Sequence, residues 1–161
     1  MRTHNPLYRR PKAHAVASPI AGVLAVIAAG MHVWFALYNI EVASSREHWT
    51  GLEWVNVVGS VLSALFLLVA AGFTFARKIG GAWTLCFLGA FFTAATFLSP
   101  LMRGADVGAH LAFIFGFEKS NGVAVFLASA FGVLTATVAA FAAGMKSDGQ
   151  PSQPDRPMVS G

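Results

Sequence analysis

Cysteine is nearly missing from the chain, which has one, Cys86. A lone thiol closes no disulfide within the chain, so Cys86 reads as a small apolar filler. Charge is scarce as well, at 11% of residues, where soluble domains carry about 25%. Catalytic signatures are missing too: there is no His-Glu-x-x-His, no Cys-x-x-Cys, no phosphate-cradling glycine loop and no serine elbow. The expectation is therefore a protein that catalyses no reaction. The cations are spread over tails and short loops without stacking aromatics between them, which excludes a nucleic-acid surface as the reading of the net charge of +4.

What the chain has in quantity is apolar length. Of its 161 residues, 56% are hydrophobic, above the roughly 45–50% of soluble proteins. Crossing about 30 Å of hydrocarbon takes roughly 20 mostly apolar residues in a helix. Four segments qualify, at about 19–40, 53–76, 82–102 and 122–144. They lack the alternation of barrel strands, and backbone amides in lipid must be satisfied locally, so helices are expected. The expected fold is an all-α integral membrane protein, an up-down antiparallel four-helix bundle.

Arg2, Arg9, Arg10, Lys12, Arg77, Lys78, Lys146 and Arg156 fall on one side of such a bundle, against Arg46, Arg103 and Lys119 on the other. The positive-inside rule then places both termini in the cytoplasm and the protein in the cell membrane. The first segment follows a basic stretch, as a secretory signal does, but it is too long for one and the small residues of "HAVASP" precede it, so a retained anchor is expected. Arg9-Arg10 continues with Pro and Lys and makes a weak twin-arginine signal.

Residues 1–18 form a basic tail suited to anionic headgroups, and 145–161 a Pro- and Ser-rich tail expected to be disordered. The short turn "ARKIGG" makes the second and third helices antiparallel neighbours. Between the third and fourth helices, 104–121 contains "VGAHLAFIFGF", too short to span and too apolar for water. It reads as an interfacial or re-entrant piece, with Asp106 and His110 at i, i+4 spacing if helical.

Each long helix has one face of small, weakly polar residues. The first aligns Ala25, Ala28, Ala29, His32, Ala36 and Asn39; the second, Glu53, Asn56, Ser60, Ser63, Leu67, Ala70 and Thr74; the third, Ala82, Cys86, Gly89, Thr93, Thr96 and Pro100. In lipid no hydrophobic force gathers helices, so close backbone approach and interhelical hydrogen bonds must do so, and these faces point inward. In the fourth, Ala124, Ala128, Gly132, Ala136, Ala140 and Gly144 form a small-residue seam for a tight partner helix, in this chain or another subunit.

His32, Asn39, Glu53 and Asn56 are thereby expected to meet as a polar cluster in the outer half of the bundle, with His48 or His110 closing over it. Ionisable groups inside a membrane are costly and mark candidate functional sites. A metal site would draw on Glu41, Glu47, His48, Glu53, Asp106 and His110, although no spacing is diagnostic. A b-type haem would need His32 and a second histidine reaching in, His110. Neither haem nor metal is the leading expectation. Four helices are few for a carrier, which leaves a homo-oligomeric channel or small transporter as an alternative. The leading reading is a protein of contact: an accessory subunit or regulator whose partners are the lipid bilayer and other membrane-protein subunits, or a second copy of itself.

Overall fold

The computed structural model describes residues 11–46, 48–117 and 119–145. Among them are five helices and no strands: α1 (Ala17–Ser44), α2 (Gly51–Phe75), α3 (Ile79–Met102), α4 (Val107–Phe115) and α5 (Ser120–Gly144). All but α4 are long and apolar enough to cross a membrane. With nine residues, α4 is only about 14 Å long at 1.5 Å per residue. The chain before residue 11, Glu47, Glu118 and the chain after residue 145 lie outside the described residues, and with them most of the two expected tails.

Each long helix begins a few residues before its apolar window, because hydropathy marks hydrocarbon depth whereas caps set helix ends. Thr50 caps α2 through a capping box: its hydroxyl accepts from the Glu53 amide, while the Glu53 carboxylate accepts from the Thr50 amide. At the end of α2, Lys78 N donates to Phe73 O and Arg77 N to Thr74 O, with Arg77 at φ +56°. The end of α3 repeats this pattern, with Ala105 N on Pro100 O and Gly104 N on Leu101 O. Gly104 takes the left-handed turn there at φ +77° without the strain a side chain adds. These reversals bring α2 and α3, then α3 and α4, round tightly.

In the bundle, α1 packs on α2 and α5, and α3 packs on α5 and more narrowly on α2. Gly22 lies against the ring of Phe75 and Asn39 bonds to Asn56, so the start of α1 is beside the end of α2 and its end beside the start of α2. The core is built largely from alanine: Ala21, Ala25, Ala28 and Ala29 of α1 meet Ala64, Leu67, Ala70 and Ala71 of α2, with Leu85 and Ala139. Small side chains let backbones approach until dispersion contacts hold them.

The small-residue seam of α5 is occupied within the chain from Ala124 to Gly132. A Cβ on Gly89 would stand 2.7 Å from the Gly132 carbonyl oxygen, and one on Gly132 would collide with the Thr93 hydroxyl. Ala124 and Ala128 are buried too, whereas Ala136 and Ala140 are half-buried. The hydroxyls mostly serve their own helices: Ser63, Thr74, Thr96 and Ser129 each donate to the carbonyl four residues back. In a dry environment that neighbour is always within reach. Thr93, which also approaches Ser129 O at 3.3 Å, is the described hydroxyl that reaches across to another helix.

One end of the bundle is sealed. Buried Ala13 donates to Arg77 O, the Arg77 guanidinium donates back to Ala13 O, and His14 N donates to Ala142 O at 2.9 Å. The chain preceding α1 is thus tied across the ends of α2 and α5.

Candidate functional site

The opposite end is hollow. A cavity of about 520 Å³ opens among α1, α2, α3, α4 and α5, within the roughly 300–1,000 Å³ of small-molecule sites. It exists because α2 and α3 meet around Leu67, Ala70 and Leu85 but stand on opposite sides of the cavity at Val55 to Ser63 and Phe92 to Pro100. The alanine core separates it from the sealed end.

His32 lines this cavity with its ring edge-on to Phe92, centroids 5.6 Å apart. Among the described residues its imidazole has no hydrogen-bond partner. Asn39, two turns further along α1, donates to Phe35 O at 2.7 Å and accepts from Asn56 Nδ2 at 3.2 Å. These amides form a directed chain, Asn56 to Asn39 to the α1 backbone. Among the described residues it leaves Asn56 with a second N–H and its carbonyl oxygen uncommitted.

Glu53 is not part of the lining. Its carboxylate accepts from Thr50 N and Oγ1, and from Arg46 Nη1 at 3.1 Å, so the capping box and an ion pair with an exposed guanidinium use it up. His48 is exposed and does not line the cavity. Asp106 accepts from Ala109 N at 2.7 Å as the cap of α4, while the His110 ring turns to Thr96 O instead.

His110 does reach the cavity, for a reason that starts at Pro100. Proline has no amide hydrogen, so Thr96 O, four residues earlier in α3, loses its helical donor. His110 Nε2 lies 3.3 Å from Thr96 O and supplies that hydrogen bond when it carries the proton. The ring also stacks on Phe113, centroids 6.5 Å apart. α4 is held by Ile114, fully buried, and by the approach of the Phe113 carbonyl to Gly122, where no side chain fits.

Arg103, Asn121 and Phe92 are among the lining groups outside the sequence-based cluster. Arg103 stands at the exposed rim, and Asn121, at the start of α5, has its Oδ1 buried without a partner among the described residues. Phe92, off the small-residue stripe of α3, forms a wall beside His32. The loss of the Thr96 donor at Pro100 is readable in the sequence, but which group replaces it depends on how α4 docks.

His32 and His110 are the two imidazoles on the cavity, and so the residues positioned to meet a haem or metal there. Among the described residues no group of three or more His, Cys, Asp or Glu side chains is disposed to hold a metal ion. The outer candidates are dispersed: Glu53 and Asp106 act in caps, His48 is exposed, and Glu47 lies outside the described residues. No protein-family model, curated protein or solved structure matches the chain.

Proposed function

We propose that this is a non-catalytic multi-pass protein of the cell membrane that works by binding, as an accessory or regulatory subunit whose cavity receives a small molecule. In this reading the helices run up and down, both termini are cytoplasmic, and the cavity lies in the outer half. The cavity carries the reading: it gathers His32, Asn39, Asn56 and His110 against apolar walls in one chain. Buried polar groups in lipid are expensive to maintain, and a cavity that displays them without closing over them is suited to a ligand. The alanine core beneath it and the tie between Ala13 and Arg77 support a pocket rather than a passage. The seam of α5 gives a partner helix less to hold than its sequence suggests, since Gly132 is used by Thr93 and Gly89.

The test is a mild-detergent pull-down of the tagged chain from its native membrane, joined to a solute and ion flux assay on liposomes containing this chain alone. Inert liposomes and a chain recovered with a partner complex are the expected results. Selective flux through the isolated chain would replace this reading with a channel. A Soret band or stoichiometric metal on the purified chain would replace it with a redox subunit, and His32→Ala should then remove the group.

A further inference from the structure

The cavity walls carry a chemical signature beyond their size. Among the lining side chains there is no carboxylate and no lysine, and the one guanidinium, Arg103, stands at the exposed rim. The deeper polar groups, His32, Asn39, Asn56, Ser60 and Ser63, are amides, hydroxyls and an imidazole. A cation would meet no counter-charge there, and an anion would leave water for a chamber without a deep cation. A neutral head group meets neither penalty.

Shape narrows the class further. Phe35 of α1, Phe92 of α3 and Phe113 of α4 give the chamber three aromatic walls, surfaces that pack well against a planar conjugated ring. Between them His32 and Asn56 offer uncommitted N–H groups from two different helices, the arrangement that carbonyl oxygens on a ring would use. Val55 and Gly59 line the cavity and are also exposed, so the wall is open sideways between α2 and α3. A molecule dissolved in the bilayer can enter there and leave an apolar tail among the lipids.

We propose that the cavity binds a membrane-dissolved quinone, its neutral carbonyl-bearing ring held between the phenylalanine walls and its tail leaving between α2 and α3. This rests on the reading of the cavity as a binding site, and it concerns binding alone, with no electron transfer.

The full chain in lipid nanodiscs is photolabelled with an azido-naphthoquinone bearing two isoprene units, and the labelled residues are mapped by mass spectrometry. An azido fatty acid is run in parallel. Label on cavity residues, displaced by the parent quinone and not by palmitate, is expected. His32→Ala should reduce it about tenfold. Gly59→Phe should abolish it, since a Cβ at Gly59 meets nothing within 4 Å and the ring can fill the opening without disturbing the core. Gly72→Ala, equally open but away from the cavity, should label as wild type does. Cavity labelling by the fatty acid alone would overturn the quinone and leave the binding site standing. Absence of cavity labelling by either probe would overturn both.

Discussion

Pro100 shows how one residue sets the chemistry of this site. Without an amide hydrogen it strands Thr96 O, and His110 fills the vacancy from another helix. The two residues should therefore be coupled. His110→Ala should cost about 1 kcal/mol more in the wild-type background than in Pro100→Ala, where the new amide can bond Thr96 O from within α3. Unfolding of the four proteins of that cycle in mixed micelles measures the difference, and equal costs would mean the contact carries no energy. Glu53 teaches the opposite lesson. It sits on the inward face with Asn56, yet Thr50 three residues earlier makes it the second half of a capping box. That Thr-x-x-Glu spacing was legible, and local capping won over the cluster that the helix face suggested.

At the scale of elements, glycines separate close approach from empty space. Gly89 of α3 lies against the backbone of α5, whereas Gly72 of α2 has nothing within 4 Å of a would-be Cβ. Gly89→Ala should destabilise the protein by about 1–3 kcal/mol, because backbone cannot step aside. Gly72→Ala should be neutral or stabilise by up to about 1 kcal/mol through helix propensity. Paired unfolding measurements decide it, and equal effects would mean that α3 and α5 are not in the register described. The periodicity of small residues told which faces turn inward, since burial in lipid follows side-chain size. It could not tell whether the α5 seam meets α3 or a second chain, because the same residues serve either packing.

On the scale of the whole molecule, four membrane-length helices were visible from hydropathy alone, whereas the apolar stretch that became α4 read only as an interfacial or re-entrant piece. The cavity was not visible. His32, Asn39 and Asn56 could be placed near one another from facing helices, but a void depends on where α2 and α3 part and on how α4 is docked by Ile114 and Gly122. Those are long-range facts of packing that no local pattern encodes. The result is a bundle sealed at the Ala13 end and hollow at the Asn39 end, with Val55 and Gly59 of the α2 wall exposed.

The most direct measurement is organic extraction and quantitative mass spectrometry of the chain purified from its native membrane, comparing wild type with Gly59→Phe at matched thermal stability. If the cavity is where this protein works, wild type should carry about one small amphipathic molecule per chain beyond the lipids that any membrane helix retains. Gly59→Phe should have lost it. Identical extracts from the two proteins would contradict a ligand in the cavity and return the protein to a role of contact alone.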